Sequence, residues 1–316
     1  MCTMRFFSGA RASAWGGATR VLLGAAVAAV LSLSACGGSD DHVDRGPTTV
    51  PISAKLNGLY WDAGESRLYL TDDGSNTIKA WDGGQNFDTV ASLPAAPASG
   101  ATLGQLTRGA DSALYTTRFG FGTDGTVVAV PKSGAPYNLS GLDATRRRIG
   151  ITTAPGGALI EGWFIRGGTG SISQLSVTGG AGSERELVTG LGKPVGLAVA
   201  GDQLFVSDQN TAQVLGYSLA VVRAQPATAA AGKVLATFTT ADGLDLMTAA
   251  SDGTLYLGGT GGKLFQISPS GAVKTLASGW PAIRGVALDE RNRRLFAAVV
   301  GAQASDPSSI RIVPLD

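Results

Sequence analysis

The chain has 316 residues, 44% hydrophobic and 16% charged, with 25 Lys and Arg against 24 Asp and Glu for a formal net charge of +1. Near neutrality excludes nucleic acid as a partner, since phosphate binding needs clustered cations, and the densest run, Arg146-Arg147-Arg148, is short and reads as a solvated turn. His42 is the single histidine and Cys2 and Cys36 are the two cysteines, so Ser-His-Asp and Cys-His nucleophile arrangements and histidine zinc sites are excluded from everything after residue 42.

The first predicted element is a processing segment. Arg5, Arg11 and Arg20 precede an uncharged run, Val21 to Leu33, that ends in small residues, the layout of a secretory signal and too short for a comfortable span of about 20 residues. Leu33-Ser34-Ala35-Cys36 resembles the lipobox of bacterial lipoproteins. That resemblance implies removal of residues 1–35, acylation of Cys36 and a membrane partner through the lipid. It also implies an address in the bacterial cell envelope; Gly37 after the cysteine, where an Asp would retain the protein, points to the outer membrane. Removing residues 1–35 takes away three arginines and no acids, so the mature chain carries a net −2. Residues 36–47, with Gly37-Gly38-Ser39 and the polar Asp40-Asp41-His42-Val43-Asp44-Arg45, read as a flexible linker.

From residue 48 to 316 a repeat emerges. A strand pattern centred on Leu plus an aromatic or apolar residue recurs at Leu68-Tyr69, Leu114-Tyr115, Leu159-Ile160, Leu204-Phe205, Leu255-Tyr256 and Leu295-Phe296, at spacings of 40 to 51 residues. A β run and a turn precede most of these pairs, as in Gly196-Leu197-Ala198-Val199-Ala200. A third run follows, as in Thr126 to Val130, and several units close with a fourth, as in Val273 to Ala277. Four short strands at this period predict an all-β, six-bladed propeller with four-stranded blades. The 46 glycines fit tight hairpins and crowded inner strands. Ser218 to Gly232, rich in Ala, reads as a loop or helical insert that stretches one spacing to 51. The last unit, from Pro281, holds three strands, so residues 48–54 are predicted to supply its fourth and close the ring.

Gly120-Phe121-Gly122-Thr123-Asp124-Gly125 has the letters of a dinucleotide-binding fingerprint. A β run follows it instead of a helix, so a glycine-rich hairpin is expected. In Tyr69-Leu70-Thr71-Asp72 and Phe205-Val206-Ser207-Asp208 a strand ends in a hydroxyl and an acid, with the Asp expected to cap the next turn. Trp61, Trp81, Trp163 and Trp280 are expected to pack blades.

These motifs, with Gly58-Leu59-Tyr60-Trp61-Asp62 and Gly196-Leu197-Ala198-Val199, resemble the six-bladed propellers of the senescence marker protein/gluconolactonase family and the NHL-repeat group over residues 48–316. The family resemblance implies a divalent cation, calcium or zinc, at the channel mouth, polarising a lactone carbonyl. Carried over by position, it gives Asp245 as metal ligand and catalytic base and puts Asn57 where the family has a Glu ligand. Val195 stands in place of an Asn ligand, and the second unit offers Gln105 and Arg108 without the family's Asn-Asp pair. The residues expected at the mouth are Asn57, Arg108, Asp245 and Arg284, with Arg118, Glu161 and Asp208 at adjoining strand ends. Two functions follow as expectations. The first is a lipid-anchored binding module for an envelope protein or a small anionic or sugar-like ligand held by Asn57, Arg108, Arg284, Glu161 and Asp208. The alternative is a metal-dependent lactone or ester hydrolase using Asp245 and Asn57.

Overall fold

The computed structural model describes residues 48–301, 303 and 306–315. The predicted signal segment, Cys36 and the linker lie outside the described residues. Six antiparallel sheets follow one another along the chain as propeller blades, with inner strands Leu56–Asp62, Leu103–Arg108, Arg147–Thr153, Pro194–Ala200, Leu244–Ala249 and Ile283–Asp289 for blades one to six. The ring closes as predicted. Thr48–Ile52 lies antiparallel to Ser308–Pro314, with Thr48 opposite Ile312 and Ile52 opposite Ser308, and completes blade six.

Alternation along each strand puts apolar side chains on both blade faces, and the core consists of clusters between neighbouring blades. Leu56, Leu68, Trp81, Phe296 and Ile310 fill the junction of blades six and one, and Tyr69, Ile78, Leu103 and Val128 that of blades one and two. Trp61 and Trp81 pack between blades as expected, Trp61 stacking on Phe296 at 5.2 Å between centroids, whereas the Trp163 indole N–H donates to Ser173 Oγ of its own blade at 3.0 Å. The Ala-rich insert holds a one-and-a-half-turn helix, Leu219–Ala224, whose N-cap Ser218 accepts from the Val221 amide. After it, Ala227–Thr228 adds a parallel fifth strand to blade three. The Gly120 fingerprint is a short 3₁₀ turn leading into strand Thr126–Val130.

Two features set the dimensions of the channel. Every inner strand slips register near its start, so Asn57, Gly104, Ile149, Val195, Asp245 and Arg284 occupy equivalent bulged positions. The next residue is glycine in four blades, because a neighbouring inner strand lies against it. A Cβ at Gly58 would stand 2.3 Å from the Gly104 carbonyl oxygen, and one at Gly285 would stand 2.3 Å from that of Asn57. The two exceptions, Gln105 and Leu246, come from opposite blades. Gln105 donates through Nε2 to the carbonyls of Leu197 (3.3 Å) and Met247 (3.1 Å) and accepts from the Ile151 amide at 3.3 Å. It bridges four blades across the axis and divides the channel into two separate mouths.

The strand-end hydroxyls fasten blades together. Thr71 Oγ1 accepts from Gly58 N (2.8 Å) and donates to Gly104 O of blade two (3.3 Å). Ser207 Oγ does the same between Gly196 N (2.8 Å) and Asp245 O (2.9 Å).

The run Arg146-Arg147-Arg148 is not the solvated turn expected. Arg147–Thr153 is the inner strand of blade three, and Arg148 is fully buried between Glu161 (3.1 Å) and Glu184 (2.8 Å). Arg146 lies over the Trp163 ring at 3.7 Å and pairs with Glu184 at 3.0 Å. Apart from Asp143, three positions before Arg146, the acids that neutralise this run, Glu161, Glu184 and Glu186, sit 13 to 40 positions away in sequence, which is why local reading missed them.

Candidate functional site at the channel mouth

The bulges place one residue per blade, in blade two a glycine, at the mouth formed by the starts of the inner strands. Three of the six are polar: Asn57, Asp245 and Arg284, from blades one, five and six, which are consecutive around the ring. Asp245 is 2% exposed and its Oδ2 lies 3.1 Å from Arg284 Nη1, while the Arg284 side chain stays 36% exposed. Burial pushes the Asp245 carboxyl up to about 6, against the pull of Arg284, Lys193 and the Leu246 amide. The Asn57 Oδ1 is buried without a hydrogen-bond partner among the described residues.

Two groups that sequence reasoning missed join this set. Lys193, from the turn into blade four, is held below the usual lysine range by burial and by the nearby Arg284 and Arg147, with Asp245 pulling the other way. Asp73, just past the second strand of blade one, accepts from the Leu103 amide at 2.6 Å. Burial pushes it up to about 6, opposed by that amide, Lys55 and Arg284. Both residues lie in connections between strands, outside the repeat positions that the periodicity marked. Together with Asn57, Arg284 and the aromatic residues Phe119 and Phe121, they line a cavity of about 460 Å³.

The other expected residues lie elsewhere. Arg108 stands at the end of its inner strand and therefore opens on the opposite mouth, a cavity of about 350 Å³ floored by Gln105. There it is ion-paired with Asp62 (2.6 Å) and Glu65 (3.1 Å). Glu161 is enclosed inside blade three against Arg148, and burial, reinforced by the neighbouring Glu184, raises its carboxyl well above the usual range. Asp208 caps a turn, accepting from the amides of Gly192 (2.7 Å), Lys193 (2.8 Å) and Asn210 (3.1 Å). Arg118 is buried and donates to Asn76 Oδ1 and the carbonyls of Pro94 and Ala95. One mouth thus gathers Asn57, Asp245 and Arg284 but not Arg108, Glu161 or Asp208.

The donor set does not fit a resident divalent cation. A hard cation needs several oxygen ligands, commonly including more than one carboxylate. Among the described residues no three His, Cys, Asp or Glu side chains gather in such an arrangement. The equivalent positions Ile149 and Val195 offer no side-chain oxygen, and the Asp245 carboxylate already faces the guanidinium of Arg284.

No family model and no curated protein matches the chain. Solved structures do match, at the level of fold. A gluconolactonase from Xanthomonas campestris superposes with a TM-score of 0.66 at 16% identity, covering 85% of this chain and 89% of the other. A calcium-binding protein, regucalcin, from Agrobacterium tumefaciens gives 0.63 at 14%, covering 84% and 94%. A luciferin-regenerating enzyme gives 0.63 at 18%, covering 85% and 96%. The structural neighbours thus include gluconolactonase and regucalcin propellers, and the six-bladed fold is the one that the sequence resemblance implied.

Proposed function

We infer that the chain is a metal-independent binding propeller whose Arg284-lined mouth takes a small anionic solute, held at the bacterial envelope by a lipid on Cys36. The observation that carries this reading is the Arg284 guanidinium 3.1 Å from the buried Asp245 carboxylate, at the residue the family resemblance assigns to a metal. Lys55, Lys193 and Arg284 line the cavity with Asp73, and Arg148 in the same wall is balanced by Glu161 and Glu184, so even with buried Asp245 counted the mouth has a positive excess. The Arg284–Asp245 contact is an ion pair without hydrogen-bond geometry, so the guanidinium N–H groups remain donors for a ligand. The volume suits a small molecule. Calorimetric titration with small carboxylates tests it: binding is expected to weaken at least about tenfold in Arg284→Gln, the loss of one charge-assisted contact. Unchanged affinity in that variant would contradict the reading.

Lactone hydrolysis is the second reading, and one observation favours it. Asp245, the residue the family resemblance assigns as base, is buried at the start of an inner strand with its carboxyl pushed up to about 6, a range suited to proton transfer near neutrality. Arg284 beside it is the group available to polarise a carbonyl. Hydrolysis of a sugar lactone lost in Asp245→Asn would raise this reading above the first.

A further inference from the structure

The mouth is chemically lopsided. Arg284, Asp245 and Asn57 belong to blades six, five and one, whereas the facing wall is built by blades two and three, where the bulged positions are Gly104 and Ile149. Above them stands the loop after Leu114–Arg118, carrying Phe119 and Phe121, both lining the cavity.

Phe121 is 46% exposed, and its backbone is left-handed at φ 51, a conformation unusual for an aromatic residue. The loop is nonetheless held in place: Arg147 Nη2 donates to the Phe121 carbonyl at 2.8 Å, and the Gly125 amide donates to Ala144 O at 3.0 Å. Phe119 meets Phe121 edge-on at 5.0 Å and tilts against Phe164 at 5.8 Å. Cations sit over this cluster, Arg147 5.3 Å from the Phe119 centroid and Lys193 5.6 Å from that of Phe164. A strained, fixed and exposed aromatic at the edge of a cavity is the kind of feature that persists at binding sites.

We propose that the mouth selects an amphipathic monoanion, with one carboxylate or similar oxyanion on Arg284 and a planar or alicyclic apolar ring against Phe119 and Phe121. This rests on the anion-binding reading above and deepens it. A polyhydroxylated anion would satisfy Arg284 but leave the aromatic wall without a complementary partner, whereas a ring-bearing anion removes apolar surface from water on both sides. The buried, unpartnered Asn57 Oδ1 is an acceptor for one hydroxyl or amide N–H on the same ligand.

The test uses the full chain purified in detergent, titrated calorimetrically against matched blanks with 2-naphthoate, D-gluconate and the neutral 2-naphthalenemethanol. Naphthoate is expected to bind at least tenfold more tightly than either of the others. Phe121→Ala, at an exposed position, is expected to cost naphthoate about tenfold and to leave gluconate unchanged, and Phe121→Leu to recover part of the loss. Gluconate binding as tightly as naphthoate, or naphthoate binding that ignores Phe121→Ala, would overturn the selectivity and leave the anion site standing. Failure of both anions to bind would overturn the anion-binding reading itself, and the selectivity with it.

Discussion

Asp245 shows how much a single residue's environment decides. Its place in the repeat was legible, ten positions before the Leu255-Tyr256 pair, but its partner was not, because Arg284 lies 39 residues on. The carboxyl titrates near 6 when folded and near 3.8 when exposed. The folded state therefore binds the proton more tightly, and the group costs stability as pH rises from about 4 to about 6. Relative to Asp245→Asn, the wild type is expected to lose about 3 kcal/mol across that window, read from denaturant unfolding at each pH. A difference that stays flat from pH 4 to 7 would contradict the burial argument. The same titrations act on ligand affinity. As pH falls from 7 to 5, Asp73 and Asp245 lose charge, so anion binding is expected to tighten several-fold, read by calorimetric titration at each pH. Arg108 was misplaced for a different reason. It shares an inner strand with the mouth-forming bulge of blade two, but lies at the far end, and periodicity fixes a strand without saying which end of the channel each terminus meets.

At the scale of elements, the inner strands starting near Gly58, Gly196 and Gly285 were legible in the sequence, whereas the start of the blade-three strand was read as a turn. Gly58, Gly150, Gly196 and Gly285 recur at the same place in the unit, and the structure gives the reason in carbonyl oxygens of adjacent strands within 2.3 to 2.7 Å of an added Cβ. Gly285→Ala is therefore expected to destabilise by about 2 kcal/mol or more, since the clash is with backbone that cannot swing aside. Chemical denaturation measures this, and a neutral effect would mean the inner strands are free to spread. The hydroxyl of the Thr71-Asp72 motif was read only through its Asp neighbour. Its bonds to two blades at once make Thr71→Val worth about 1–3 kcal/mol of stability, because Gly58 N and Gly104 O are left without it. The blade-three ion network was illegible for a related reason: Arg148, Glu161 and Glu184 become partners only when three strands of one sheet align.

For the whole molecule, ring closure was foreseeable from counting strands, because a last unit with three strands and an orphan run before the first unit have one economical solution. Deleting residues 48–54 removes the partner of Ser308–Pro314 and bares an edge carrying Ile310 and Ile312. A loss of about 3 kcal/mol or more and self-association at the bared edge are expected, visible by unfolding and by light scattering. The family resemblance carried the propeller architecture faithfully, but the metal chemistry attached to that family depends on a few mouth residues, and here those are Asn57, Ile149, Val195, Asp245 and Arg284. Fold is set by hundreds of small contacts and survives such changes, whereas a metal site does not. The proposed lipid tether belongs to this scale as well: Cys36→Ala is expected to release the chain from membrane fractions with the propeller intact, and full membrane retention would contradict acylation.

The most direct measurement is a thermal-unfolding scan of the chelated chain with calcium, magnesium, manganese or zinc added singly, and in parallel with small carboxylates. A ligand that binds only the native state raises the midpoint by mass action. A mouth in which Arg284 takes the cation's place predicts no cation-specific rise and a rise with carboxylates that Arg284→Gln abolishes. A rise specific to one cation that disappears in Asp245→Ala would contradict it and restore the metal-dependent hydrolase.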